Sequence, residues 1–229
     1  MARYLRISMT ENTTKKNMRE EILELAIPLF AKAGYDGVSM RDIATAVRLT
    51  PAALYYHFAD KEQLYIDAVG HACKETKDVL KAAIDGAGSP WMRLESFISM
   101  YAQLLATKKD YQRMMQWMML DSDDQRLHTL ANKIFQEIFV AVRDMIGDLG
   151  HGYDAHLLTG SILGLIVFHF ETEKILRFLP GYQSQHETPA ILAQHVVGLL
   201  RHGLFGGVSS NRRPDTVDEP TMEVSMKKT

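Results

Sequence analysis

Nine histidines, a lone Cys73 and a His169–Glu173 pair one helical turn apart are the residues that first invite a chemical reading. A pair at that spacing can orient two ligands toward one ion, but no compact Cys/His array accompanies it, and such pairs more often make an interface hydrogen bond or a solvated edge. There is no Gly-rich phosphate loop, nucleophile elbow or His-Glu-x-x-His helix, so catalysis has little support and no metal or cofactor is expected. One cysteine cannot form an intrachain disulfide, which makes a cytoplasmic location the simple inference. The chemistry lies in Arg41 through Phe58. That segment sets guanidinium, phenol and imidazole groups on two short amphipathic helices around a tight turn, as a helix-turn-helix does when it docks in a DNA groove. It points to a regulator rather than an enzyme.

The elements that must position these groups are legible locally. Ser39, Thr50 and Asp60 each place a side-chain oxygen where it can accept from the free N–H groups opening a helix. Asp42 stands three residues after Ser39 and Gln63 three after Asp60, close to the reciprocal capping box, and Pro51 fits a first helical position. Helices are therefore expected to begin near residues 40, 51 and 61. Met40, Ile43, Ala44 and Val47 share one face of the first, and Leu54 and Phe58 share one face of the second. Upstream, Ile22, Leu25, Ala26, Leu29, Phe30 and Ala33 repeat at helical spacing until Gly34, which can end a helix in a left-handed conformation. Pro28 removes one backbone bond and should bend that helix slightly.

Ile22-Leu23 through Leu29-Phe30, Gly34-Tyr35, Val38-Ser39, Ile43-Ala44, Leu54-Tyr55-Tyr56-His57-Phe58 and Lys61-Glu62-Gln63-Leu64 resemble the N-terminal signature of TetR-type (tetracycline-repressor-like) regulators. The resemblance covers residues 19–66. It implies an all-α protein, with an N-terminal three-helix helix-turn-helix head and a C-terminal helical-bundle ligand and dimerisation domain. It also implies that Arg41, Ala52, Ala53 and Tyr55 face base edges, whereas Ser39, Thr50, Tyr56, His57 and Lys61 fall where phosphates are held. The side-chain chemistry agrees in part: Arg pairs bidentately with guanine, alanines approach thymine methyls, and hydroxyl, imidazole and ammonium groups suit phosphate oxygens. The bland reading makes Phe58 and Tyr55 core aromatics, His57 a helix-ending residue and Lys61 a solvated first-turn residue. Arg48 departs from the family pattern, which has glycine at that turn. Either the turn is built differently, or the strain is accepted because the guanidinium reaches a phosphate.

The chain carries 26 basic against 28 acidic residues, which excludes a protein that coats nucleic acid indiscriminately. In residues 1–59 the basic residues outnumber the acidic by eight to six, and Lys15, Lys16 and Arg19 sit where an arm could reach the DNA backbone. Residues 1–16 read as a flexible arm, with Met9 an alternative start; 17–60 as the DNA-binding head; 61–206 as the ligand-sensing and dimerisation domain; and 207–229 as a flexible tail.

After residue 60 the apolar spacing is helical throughout. From Trp91 to Leu120 the chain is rich in aromatics and thioethers, with four of the thirteen methionines inside six residues. Trp91, Phe97, Met100, Tyr101, Met114, Met115, Trp117 and Met118 are the candidates to line an effector pocket, because unbranched side chains re-pack around differing guests; an ordinary methionine-rich core is the alternative. Such a pocket suits a largely apolar small molecule. Leu158, Ile162, Leu165, Ile166, His169, Val196, Leu199 and Leu200 supply apolar surface for a four-helix homodimer interface, or else for an intramolecular core. A two-fold dimer would read a near-palindromic double-stranded operator. The apolar stretch near 157–170 stops short of the length that spans a bilayer, so no membrane is expected. The resulting expectation is a ligand-responsive homodimeric DNA-binding repressor; the rival is a helical ligand-binding or protein-interaction module that no longer reads DNA.

Overall fold

The computed structural model describes residues 2–149 and 152–205, with side chains described for 18–149 and 152–203. Among the described residues every regular element is helical. The head comprises α1 (Ala2–Ala33), α2 (Met40–Ala46) and α3 (Pro51–His57). The larger part comprises α4 (Lys61–Ile84), α5 (Pro90–Thr107), α6 (Lys109–Met119), α7 (Asp124–Leu130), α8 (Gln136–Gly147), α9 (Ala155–Leu176) and α10 (Pro189–Phe205). A π-helical turn over Ala131–Phe135 joins α7 to α8, and α1 runs from Ala2, where the sequence suggested a separate arm. The side chains of that arm, including Lys15 and Lys16, and the tail after residue 205 lie outside the described residues.

The three short-range start signals act as expected. Ser39 Oγ accepts from Asp42 N at 3.2 Å while Asp42 Oδ2 accepts from Ser39 N at 2.9 Å, a complete capping box. Thr50 Oγ1 accepts from Ala53 N at 3.1 Å, and Asp60 Oδ1 from Gln63 N at 2.7 Å. Gln63 reaches one residue further back than a standard box, accepting from Ala59 N at 2.8 Å. These caps fix the two elbows of the head within a residue of their sequence positions.

Arg48 keeps the left-handed backbone, at φ +57°. Its N–H donates to Thr45 O at 3.2 Å and that of Leu49 to Ala44 O at 2.9 Å, the paired bonds of a Schellman ending, so the turn is built as a glycine would build it. The resulting angle between α2 and α3 closes Ile43, Ala44, Leu54 and Phe58 onto Ile22, Ala26 and Phe30 of α1, all buried. Leu25 is half-exposed and Leu23 is buried in its place, because α4 covers α1 on a second side.

In the larger part, α4 packs on both α1 and α5, α5 lies on α10, and α9 rests on α8 and α5. Leu64, Leu94, Phe97, Ile98, Ile162, Ile166 and Val196 form its buried centre. At 22 residues α9 is long and apolar enough to cross a membrane by length and composition, a longer apolar helix than the sequence reading allowed, yet its inner face packs as a core helix does. Replacing Arg48 with glycine relieves a left-handed cost of roughly 1 kcal/mol while loosening the unfolded chain by a similar amount. Urea denaturation of Arg48→Gly should therefore shift stability by no more than about 1 kcal/mol; a larger loss would mean that the guanidinium itself holds the turn.

Candidate nucleic-acid interface and effector cavity

The outer face of α2 and α3 separates cleanly into buried anchors and exposed groups. Leu54 and Phe58 are 0% and 1% exposed, whereas Tyr55 and Tyr56 are 52% and 70% exposed. Arg41, Thr50 and Ala52 are exposed too, Ala53 is half-buried, and Arg48 stands exposed at the turn between the helices. This exposed surface thus carries two guanidiniums, two phenols, the Thr50 hydroxyl and two small residues above an apolar base. Thr45 and Ala46, one turn on from Arg41 and Asp42, are exposed on the same helix and were not singled out from sequence. Their signal was the four-residue repeat from Arg41. Thr45 Oγ1 donates to Arg41 O at 2.8 Å.

Several proposed phosphate ligands already have structural duties. Ser39 and Thr50 cap their helices, and the hydrogen bonds from Ser39 hold the Asp42 carboxyl below its ordinary value. His57 is half-buried beside the Tyr56 ring, with centroids 5.3 Å apart. Lys61 Nζ donates to Tyr35 O at 3.0 Å and lies 4.0 Å from the Tyr35 ring centroid, which draws it toward the interior of the head. Arg19 pairs with Asp67 of α4 and covers the Phe58 ring at 4.7 Å, so it binds helices together instead of extending an arm.

Tyr35 is the meeting point of head and body. Arg126 lies 3.8 Å from its ring centroid and is itself nearly buried, forking onto Asp121 through Nε–Oδ2 at 2.5 Å and Nη2–Oδ1 at 2.6 Å. The Arg126 hydrogen bonds hold the Asp121 carboxyl below its usual 3.8, and burial raises the Tyr35 phenol. Beside them, the α6 residue Trp117 donates from Nε1 to Ala31 O at 3.2 Å and lays its indole over Gly34, at φ +69°. A Cβ at Gly34 would come within 2.8 Å of that ring.

The methionine-rich region splits three ways. Phe97, Tyr101, Met115 and Met118 line a cavity of about 240 Å³. Much of the remaining wall comes from residues that sequence reading did not single out: Phe135, Ile138, Phe139 and Val142 near or on α8, and Leu163, Val167 and Phe170 on α9. Four of the expected lining residues lie elsewhere. Met114 is buried in the core beside α1 and α4, Met100 is exposed, Trp117 serves the head junction, and Trp91 donates to Glu95 with Arg201 over its ring. At the cavity edge Gln112 Nε2 donates to Phe170 O at 2.9 Å. Burial pushes the Tyr101 phenol up to about 12 and the Tyr111 phenol higher still, and the two share a hydrogen bond. Cys73 is buried and its thiol raised to about 12, which leaves it unreactive.

The expected dimer residues also divide. Ile162, Ile166, Val196 and Leu200 are buried within the chain's own core, because α9 turns that face onto α5 and α8 and α10 packs on α5; they are not interface surface. Leu199 is exposed, and Leu158, Leu165 and His169 are half-buried. The outward stripe instead runs through Leu157, Gly160, Gly164, Phe168 and Ile175, continued by Ile191 and Leu199 on α10. Neither Gly160 nor Gly164 has an atom within 4 Å of where a Cβ would stand. His169 faces His195 at 6.2 Å between ring centroids, and burial followed by that neighbour lowers its pKa.

A helix-turn-helix head, joined through a long helix to a helical body around an apolar cavity, defines a class of two-part all-helical proteins. Residues 22–68 match the family model of bacterial regulatory proteins, tetR family. The head thus matches the N-terminal unit of that family, and about four fifths of the chain shares its fold with the solved structures below. A Staphylococcus epidermidis protein named as the negative transcriptional regulator IcaR of the biofilm operon icaADBC is 33% identical over 98 residues, covering 38% of this chain and 53% of that one. The chain thus spans about half the length of the curated relatives it matches. Among solved structures, a Clostridium perfringens putative fatty acid metabolism regulator superposes with a TM-score of 0.66 at 20% identity, over 83% of this chain and all of that one. The structure of AibR in complex with isovaleryl coenzyme A and operator DNA gives 0.62 at 22%, over 80% and 97%.

Two outcomes follow from the junction. Arg126→Met leaves Asp121 buried without its partner and should lower stability by about 3 kcal/mol, read as a fall in melting temperature. In the parent chain the Asp121 contribution is complete above pH 3.8 and is lost as pH falls through its lowered folded value, so the deficit of the variant should be present at neutral pH and shrink only in strong acid. Gly34→Ala should cost about 2 kcal/mol through its positive φ and the Trp117 ring, with Trp117→Leu partly restoring it in a double-mutant cycle.

Proposed function

We propose that the protein is a ligand-responsive, homodimeric DNA-binding transcriptional regulator, most simply a repressor released from a near-palindromic operator by a largely apolar small molecule. The observation that carries this reading is the exposed surface of Arg41, Thr50, Ala52, Tyr55 and Tyr56, held rigid by buried Leu54 and Phe58. Arg41 is the proposed reader of a guanine edge; Thr50, Tyr56, His57 and the exposed Arg48 are the proposed backbone contacts. The matched tetR model over the same residues and the operator complex of the structural neighbour AibR support it. Arg48 was the best argument for a head that no longer reads DNA, and the intact turn at φ +57° removes that argument. No step of this reading calls for catalysis or a cofactor, and an operator on the chromosome fits a cytoplasmic location.

The switch is proposed to run through α4 and α6. Both line the cavity, α4 through Leu80 and α6 through Met115, Met118 and Met119, and both grip the head, α4 directly after Asp60 and α6 through Trp117. A guest that fits better when α6 is displaced shifts the population toward a state whose two heads no longer match successive major grooves, about 34 Å apart. The outward stripe of α9 and α10, smooth at Gly160 and Gly164, is the proposed two-fold contact.

A gel shift with DNA from upstream of the protein's own gene tests the reading. Binding should survive non-specific competitor and weaken steeply with salt, and Arg41→Ala should lose about 1–3 kcal/mol of preference at one base position per half-site. Arg48→Gly should weaken binding uniformly across sequences. Equal affinity for operator and random DNA would overturn the proposal.

A further inference from the structure

We infer that the effector is amphiphilic, with an apolar chain or ring seated in the cavity and a phosphate-bearing head lying in a basic groove between α6 and α9. The inference rests on the regulatory reading above for its meaning, though the binding itself can be measured apart from DNA. Two hollows meet at this place. The inner one, about 240 Å³, is walled almost wholly by apolar side chains such as Phe97, Met115, Phe139 and Val142. The outer one is a more open groove of about 640 Å³. Both are bounded by Gln112, Met119, Phe170 and Glu171, so one elongated molecule can occupy the two without crossing the core.

The charge of the outer groove is what selects the head. Lys109, Arg113, Lys174 and Arg177 line it against only Glu171 and Glu173, in a chain whose overall charge is −2. Several cations elsewhere on the body are matched, Lys77 and Lys81 by Glu137, Lys108 by Glu75 and Arg201 by Glu95, though Lys74 and Lys133 stand singly and apart from one another in sequence. Lys109, Arg113 and Lys174 make no ion pair among the described residues. Lys174 and Arg177 close α9, where the helix dipole welcomes a cation without any ligand. Lys109 is different, because it opens α6 at the positive end, where a cation is out of place unless an anion arrives. Arg113 stands one turn on from it, so the two ions face one stretch of groove.

Size separates the two ends of the guest. A cavity of about 150 Å³ accepts a benzene ring, so the inner hollow takes roughly ten carbon atoms. The groove is more than twice as large and carries a surplus of positive charge, which a single carboxylate would leave largely unanswered. A phosphate ester answers it, whether on a nucleotide carrier joined to an acyl chain or on the glycerol of a single-chain phospholipid.

Calorimetric titration of the purified full-length chain with octanoyl-coenzyme A, octanoyl lysophosphatidic acid, 1-octanol and coenzyme A tests this. At least one phosphate-bearing octanoyl probe should bind about tenfold or more tightly than octanol, and the tighter of the two names the source of the head. Lys109→Gln combined with Arg113→Gln should collapse that ratio, and added salt should erode it. Octanol binding as tightly as both phosphate probes, a ratio unchanged in the double variant, or no binding by any probe would overturn the inference. A parallel gel shift keeps the two readings apart. Operator binding that responds to an uncharged apolar compound, with no advantage from phosphate, refutes the amphiphile alone, whereas absent operator binding refutes the regulator and leaves the calorimetric ratio standing.

Discussion

The stacking of Arg126 on Tyr35, with Asp121 neutralising the guanidinium, is the contact on which the arrangement of this molecule depends. It joins the residues just after α1 to α7, across 91 positions of sequence, and through Asp121 to the α6–α7 connection. Lys61 at the first turn of α4 shares the same ring. Three segments, tied besides by Arg19–Asp67 and by the Trp117 bond to Ala31 O, are thereby given one geometry, since a forked ion pair tolerates little rotation. Removing water from such a pair is expensive, so its merit lies in specifying how the head is seated more than in net stability.

That seating gives the cavity its reach. The helix that walls the cavity with Met115 and Met118 is the one whose Trp117 closes over Gly34, so no separate relay is needed between guest and head. Unbranched thioethers on the inner face allow α6 to settle around different contents, while the indole on the outer face and the ion pair beyond it are rigid. A soft wall and a stiff handle on the same eleven residues make displacement of the helix as a body easier than local repacking. The cavity wall and the junction are thus two faces of one element.

What could be read from sequence follows the range of the interaction. Ser39, Thr50 and Asp60 announced their helices because a cap is decided within four residues, and Leu54 and Phe58 fell inward because a short amphipathic helix has one buried side. The left-handed turn at Arg48 was posed by the sequence as a choice between two builds and resolved only by its backbone. Periodicity identified the faces of α5 and α6 but not their neighbours, so Phe97, Tyr101, Met115 and Met118 met in the cavity while Met114 went to the core and Trp117 to the head. On α9 even the face was ambiguous, because apolar residues surround the helix; Ile162 and Ile166 turned inward and Leu157 and Phe168 outward. The pairing of Tyr35 with Arg126 left no local trace at all.

The two tryptophans of the chain occupy sharply different settings. Trp91 sits at the start of α5, its indole N–H held by Glu95 and its ring beneath Arg201, remote from any moving part proposed here. Trp117 lies across the seam between head and body, partly open to water. Any parting of that seam changes the polarity around one fluorophore and spares the other, so the protein carries a built-in optical gauge of the proposed switch, with its internal standard included.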